Sequence, residues 1–312
     1  MILIVSIKDD LHAVTICNVL KKKGYKNCFI LACDYIHSDY KINWHLDKIR
    51  QSAKLTFQNG DVIDIGEIKL IWWRRVRADQ QLPNSITDTH QIKLINNDCR
   101  GALGGMLDAN FRGKWLSKPE ATDRASNKLY QLALAKEYGF RVPETLVSQT
   151  KEEVIEFTKK FNGKVIVKPV IGAAGPLMFT EFIGDPQRLD SQSFQICPAI
   201  YQEFIEGTKH IRLNCFGDQS YSAMIESEEL DWRPNLKVPI HSWEVPASLH
   251  KKVRLLLDKL DLEMGIIDIK VTPEGEFVWL EVNPQGQFLF LEPLAKMALS
   301  DYFSDYLLKL VQ

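Results

Sequence analysis

Near the C-terminus, residues 265–287 read GIIDIKVTPEGEFVWLEVNPQGQ. Two apolar runs of strand character, 265–272 and 277–283, flank Pro-Glu-Gly-Glu, and such a pattern predicts a β-hairpin. With Glu274 and Gly275 at the turn centre, Asp268 falls directly opposite Glu281. Side chains alternate along a strand, so Asn283 shares their face, and Lys270 with Trp279 is the next pair along it. The other face pairs Ile267 with Val282, Ile269 with Leu280 and Val271 with Val278, an apolar surface that must be buried. Facing carboxylates on a sheet repel and destabilise it. A hard divalent cation between them reverses the sign, and carboxylate and amide oxygens are what Mg²⁺ accepts. The pattern alone leaves two readings open, a solvated polar face and a metal site.

The 312 residues suffice for two or three domains with sizeable cores. A formal net charge of −1 carries no footprint for sequence-independent nucleic-acid binding, although a local basic cleft is compatible with it. No apolar run approaches the roughly 20 residues that span a bilayer, so no membrane partner is expected. The opening MILIVSIKDD has no basic leader and no small-residue cleavage site, and reads as a buried strand. The six cysteines form no C-x-x-C pair, which points to free thiols in a reducing cytoplasm.

Strand 2–7, helix 11–23 ending at Gly24, and strand 28–32 make a β-α-β start, the signature of an open parallel sheet. The first turn, Ser6-Ile-Lys-Asp-Asp, lacks the glycines of a dinucleotide fingerprint. Residues 54–64 form a small hairpin around Asn59-Gly60. The run 68–75, IKLIWWRR, is a strand with a charged exit, where Arg74, Arg75 and Arg77 are either solvated or face an anionic ligand. A helix covers 88–107. Thr122 is expected to cap a helix running to Tyr138. Strand 145–148, a charged helix 151–161 and strand 164–168 follow. The last ends Val-Lys-Pro and enters the small-residue stretch 170–176, where a lysine beside accessible backbone N–H groups suits anion binding. Strands 177–183 and 199–205, a hairpin over 209–227, a polar loop 231–235, helix 247–260 and a final helix 293–312 complete the chain.

The order of these parts resembles the ATP-grasp superfamily. Lys128 on a helix precedes Lys168-Pro169. Then come Gln202-Glu-Phe-Ile-Glu-Gly207, His210-Ile-Arg212, Trp232-Arg-Pro-Asn235 and the Asp268, Glu281-Val-Asn283 hairpin. The WWRR run at 72–75 and the stretch 281–292, EVNPQGQFLFLE, are similar to the microviridin-type (graspetide) peptide ligases. The resemblance implies an α/β chain, α+β in its C-terminal part, with nucleotide between the last two of three domains. These are an N-terminal open α/β domain (1–118), a central lid domain (119–198) and a C-terminal domain with the hairpin (199–312). It implies that Lys128 and Lys168 hold the phosphates of ATP, that Gln202, Glu203, Phe204 and Ile205 form the adenine hinge, and that Glu206 takes the ribose. Arg212 and Arg233 are implied at the transferred phosphate or the acyl intermediate, and Asp268, Glu281 and Asn283 as ligands of Mg²⁺, two ions in all. His210 and Asn127 depart from the family pattern.

The implied activity is phosphorylation of Asp or Glu side chains of a ribosomal precursor peptide, then attack by Thr or Ser hydroxyls or Lys amines to close ω-ester or ω-amide rings. Family likeness also implies a homodimer, and a leader segment docking on the central domain, where Asp185, Arg188 and Asp190 are available beside helix 151–161. The peptide carboxylate is expected near residues 284–288. Replacing Arg212 or Glu281 by Ala is expected to abolish product with the fold nearly intact. Two alternatives stand beside this reading: a ligase adding an amino acid to a protein or peptide terminus, and a non-catalytic peptide-binding relative.

Overall fold

The computed structural model describes residues 1–76, 78–171 and 180–312. They form two compact units, Met1–Pro119 with Ala298–Gln312, and Glu120–Met297.

In the first unit strand Ile2–Ser6, apolar up to Ser6, is buried on both faces, as a strand flanked by parallel neighbours and covered by helices must be. It pairs in parallel with Cys28–Ala32 on one side and Leu70–Trp73 on the other, and Lys114–Leu116 extends the sheet. The expected open parallel sheet is therefore present. Lys114–Leu116 adds a strand to a stretch that reads as a mere connection. Between the first two strands runs helix Leu11–Lys22, capped by Asp10 through a 3.3 Å bond from His12 N–H. The Asn59-Gly60 hairpin joins Gln51–Phe57 to Val62–Asp64, and a third antiparallel strand, Tyr40–Leu46, flanks it. That strand is not among the expected elements, although Tyr40, Ile42, Trp44 and Leu46 alternate with polar residues; most of it faces solvent. The C-terminal helix divides. Leu291–Ala295 stays in the second unit, while Leu299–Val311 belongs to the first, where Phe303 packs on Trp72 at 4.7 Å between ring centroids.

The second unit holds two antiparallel sheets. One runs Glu181–Phe182, Val165–Lys168, Ala199–Glu203, Thr145–Ser148. Helix Lys151–Lys160 sits over it, and Val154, Val165, Phe194 and Tyr201 make the core. The stretch expected as a small-residue loop and the start of strand 177–183 fall largely on residues 172–179, outside the described residues, as does Arg77. The other sheet runs Ile240–Trp243, Gln219–Glu226, Lys209–Phe216, Met264–Val271, Phe277–Asn283. Its apolar face (Ile211, Leu213, Ile267, Ile269, Trp279, Val282) packs on Leu249, Val253, Leu256 and Leu257 of helix Ala247–Lys259. Each fully buried aliphatic side chain of this kind contributes about 1.5–3 kcal/mol.

The single helix expected from Thr122 is two, Pro119–Ala125 and Lys128–Glu137. Asn127 is the cap of the second, accepting from Leu129 N–H at 3.0 Å and Tyr130 N–H at 3.1 Å, so Lys128 occupies its first position.

The hairpin keeps Asp268 opposite Glu281 and Ile266 opposite Asn283, but not the register expected nearer the turn. Its loop is one residue tighter. Thr272 N–H donates to Glu276 O at 3.0 Å, with Gly275 at φ +85, a left-handed position that suits glycine. A bulge at Asp268/Ile269 then absorbs Leu280, so Ile269 faces Trp279 and Lys270 faces Val278. The correction has a packing cause. Trp279 is fully buried on the apolar face against Phe140, 5.0 Å away, and an indole is among the largest apolar areas a core can gain. Lys270 is left on the polar face without the tryptophan neighbour the simple alternation expects.

Candidate active site

On the polar face of the five-stranded sheet, Arg212, Asp268 and Glu281 stand side by side on three adjacent strands. Arg212 Nη1 donates to both oxygens of Asp268, at 2.7 and 2.6 Å, and Nη2 donates to Gln287 O at 3.0 Å. Arg212 Nε is buried without a hydrogen-bond partner. The amide of Asn283 donates to Glu281 Oε1 at 3.2 Å and reaches Asp268 Oδ2 at 3.5 Å. Burial, opposed by Arg212 and reinforced by Glu281 across the strand, pushes the Asp268 carboxyl up. For Glu281 burial acts the same way, but Lys128, Lys168 and the Asn283 bond outweigh it and hold it down.

Cations close the site. Lys128 Nζ lies 3.8 Å from Glu281 Oε2 and 3.4 Å from Pro169 O, so the helix start and the end of strand Val165–Lys168 meet over the hairpin. Desolvation lowers Lys168 to about 8, against Glu281 and with Lys128 and Arg233. Arg233 is clamped by Asp231, whose Oδ1 accepts from Nε at 2.8 Å, and the Asp231 bond leads the causes that raise its pKa. All seven side chains of the phosphate, arginine and metal sets thus belong to one unit, the cations converging on Asp268 and Glu281.

Among the described residues no three His, Cys, Asp or Glu side chains gather to hold a metal. The donor set available is two carboxylates and one amide on one sheet face. That set fits Mg²⁺, which keeps several waters and binds through one or two carboxylates and substrate phosphates. It does not fit an ion that needs an all-protein cage. The amide of Asn283 offers its oxygen after a half-turn of its side-chain torsion.

The hinge residues span the end of strand Ala199–Glu203, which holds Gln202 and Glu203, and the turn after it. Gln202 is buried and donates to Thr145 Oγ1 at 2.8 Å. Glu203 accepts from Arg141 Nη2 at 3.2 Å and Glu144 N–H at 3.0 Å. Phe204 N–H is taken by Lys164 O at 3.1 Å, while Ile205 is buried. Glu206 is exposed and ion-paired to Lys164. Gly207, at φ +120, brings this turn against the hairpin, where a Cβ would lie 2.3 Å from Val271 O.

Other expected positions divide. The side chain of Arg74 is 0% exposed and bound to Asp10, Nε to Oδ2 at 2.5 Å, so it faces no ligand. A guanidinium at the end of a buried strand needs a carboxylate, and Asp10 in the first turn supplies it. Arg75 is exposed. Asp185 and Asp190 are exposed helix caps and Arg188 is exposed beside Asp185, 3.3 Å away. Asp185 also lines a cleft of about 420 Å³ between helix Lys151–Lys160 and residues 184–187. Within 284–288, Phe288 is fully buried against Phe216, and the backbone of Gln287 is engaged by Arg212.

One contributor escaped sequence reasoning. Gln131, buried on helix Lys128–Glu137, donates to Val282 O and accepts from Val282 N–H, both at 2.8 Å. It thereby satisfies the free edge of strand Phe277–Asn283 between Glu281 and Asn283. A lone amide on the same helix as apolar Leu132 and Ala135 was the available signal.

Comparison with known proteins follows the same lines. Residues 1–123 match the family model described as the MvdD pre-ATP grasp domain. The α-aminoadipate–LysW ligase LysX of Sulfurisphaera tokodaii is 26% identical over 151 residues, 46% of this chain and 53% of that protein. The match thus spans about half the length of that relative. Over 99% of both chains the fold superposes on macrocyclase MdnC of Microcystis aeruginosa, solved bound with precursor peptide MdnA, with TM-score 0.88 and 25% identity. A Chryseobacterium gregarium RiPP-associated ATP-grasp ligase, solved with ADP and leader and core peptides, shares the fold at TM-score 0.86 and 24% identity, covering 99% of this chain and 96% of that one. With the carboxylate hairpin, the paired lysines and the full-length fold in agreement, the chain opens with a match to the MvdD pre-ATP grasp domain and shares its fold, end to end, with ATP-grasp macrocyclases.

Proposed function

We propose that the protein is an ATP-dependent macrocyclase that activates Asp or Glu side chains of a ribosomally made precursor peptide and closes ester or amide rings on them. The observation that carries this is the Arg212–Asp268–Glu281 row with Lys128 and Lys168 above it, in a chain whose fold matches a peptide macrocyclase end to end. In this reading Asp268, Glu281 and Asn283 hold Mg²⁺, two ions in all, which neutralises phosphate charge when bound. Lys128 and Lys168 bind the phosphates. The hinge from Gln202 to Ile205 seats adenine, and Glu206 turns from Lys164 to the ribose hydroxyls. The four-stranded sheet serves as lid, and because Ala199–Glu203 is one of its inner strands the lid runs past the expected boundary of 119–198; the five-stranded sheet is the nucleotide platform.

The chemistry balances simply. A peptide carboxylate oxygen attacks the γ-phosphorus, the bond to the β-phosphate oxygen breaks, and ADP leaves. A Thr or Ser hydroxyl or Lys amine then attacks the acyl carbon, loses its proton and expels phosphate. Arg212 and Arg233 offset the charge that moves in both steps, a task of positioning and electrostatics. Arg75, Asp185, Arg188 and Asp190 are surface positions for the peptide and its leader. The proposal extends to a cytoplasmic homodimer, checked by light scattering on the purified chain.

The test is incubation with ATP, Mg²⁺ and precursor peptides rich in Thr, Asp and Glu. Loss of one water per ring from the peptide, with one ADP formed, is the expected result, and chelation of the metal or Glu281→Ala should abolish it. The LysX likeness favours a second reading, addition of an amino acid to a protein or peptide terminus. A gain of peptide mass would establish that reading and overturn ours.

A further inference from the structure

His210 and Lys270 are partners on adjacent strands, one row beyond Arg212 and Asp268 on the same face. They are 7% and 6% exposed, and Lys270 Nζ lies 2.8 Å from His210 Nε2. Among the described residues no carboxylate completes the pair at ion-pair distance. Burying an ammonium costs several kcal/mol unless an opposite charge accompanies it. The imidazole cannot supply that charge. Desolvation and the neighbouring ammonium lower His210 to about 3, so it is a neutral acceptor that orients Lys270 without neutralising it. Among acidic groups, Asp231 is the one whose charge reaches His210.

The place of the pair matters. One residue further along the strand, Val271 O meets the Glu206-Gly207 turn, and two residues back stands Asp268. Positions two apart on one strand face are about 6.6–6.8 Å from each other. The cation therefore lies on the floor between the carboxylates and the hinge, held ready at a cost in stability and lacking an anionic partner.

We propose that Lys270, oriented by His210, is a nucleotide-contacting residue whose ammonium binds oxygen acceptors where the ribose joins the α-phosphate. The inference rests on the nucleotide reading given above and adds a contact to it. It makes two predictions of opposite sign. Lys270→Met removes an uncompensated buried charge, so the free protein melts at a higher temperature than wild type. The same variant binds Mg·ADP about tenfold more weakly or worse, the loss expected for one charge-assisted hydrogen bond, and gains less thermal stability from ADP. His210→Asp neutralises the ammonium in place and moves both quantities in the same directions. Affinity for magnesium pyrophosphate, which lacks the nucleoside end, stays within about twofold in both variants.

Calorimetric titration and thermal unfolding of the full chain read all of this. A lower melting temperature for free Lys270→Met with unchanged ADP affinity would make the pair a structural strut and overturn the proposal. So would equal losses for ADP and pyrophosphate. Failure of the wild-type chain to bind Mg·ADP at all is a separate result, which sinks the nucleotide reading and this contact with it.

Discussion

Arg212→Met is the most informative single change outside that pair. The substitution keeps most of the apolar stem and removes the guanidinium that donates twice to Asp268 and once to Gln287 O. Asp268 then faces Glu281, with the Asn283 amide, 3.5 Å away, as its remaining side-chain donor among the described residues. Removing one member of a buried ion pair costs about 3–5 kcal/mol. The side chain of Asp268 is 22% exposed, which favours the lower end of that range. Losing the unpartnered Nε returns about 1 kcal/mol. The net loss is about 2–3 kcal/mol, or roughly 4–12 °C in the melting temperature of a unit this size. Adding Asp268→Asn removes the stranded charge and should recover most of the loss, a coupling of about 2 kcal/mol in a double-mutant cycle. Thermal unfolding without ligand at neutral pH measures it. If Arg212→Met melts with wild type, or if Asp268→Asn deepens the loss, the account of this row is wrong. On this account an Arg212 variant should lose stability as well as product.

Further predictions concern the frame around the site. Burial alone would raise the Asp10 carboxyl, but Arg74 and then the Ser6 hydroxyl hold it below its usual value. Its stabilisation is therefore complete above about pH 4 and is lost as pH falls through the depressed folded-state value. Asp10→Asn should cost about 3–5 kcal/mol at pH 7, because Arg74 stays buried without its carboxylate, and should flatten the acid limb of the stability profile. Gly207→Ala should cost at least about 1–3 kcal/mol through its positive φ and the contact with Val271 O, and should weaken Mg·ADP binding more than it lowers the melting temperature. Trp279→Ala should cost about 3–5 kcal/mol, while Leu280→Ala, at the half-buried bulge, should cost much less. Comparable losses for the two would place the bulge elsewhere. Chemical denaturation of each variant reads these differences.

Local pattern was enough to determine a good deal. Apolar runs and turn residues placed strands Cys28–Ala32 and Thr145–Ser148, helix Ala247–Lys259 and both arms of the acidic hairpin close to where they lie. Alternation put Asp268 opposite Glu281, and the order of lysines, arginines and carboxylates carried the family. These features depend on neighbours in the chain, which is what periodicity reports. Tertiary structure decided the rest, because each case turns on partners distant in sequence. The bulge at Leu280 exists because the core takes Trp279. Arg74 left the list of ligand-facing groups once Asp10 proved to be its buried partner. Helix Leu299–Val311 joined the first unit because Trp72 offers Phe303 a surface there. Gln131 matters through an edge strand some 150 positions away (separation 151), and Lys270 stands out only when His210, 60 positions earlier, is seen to be its neutral companion. A chain announces which of its faces are apolar; burial and charge compensation choose which of them meet.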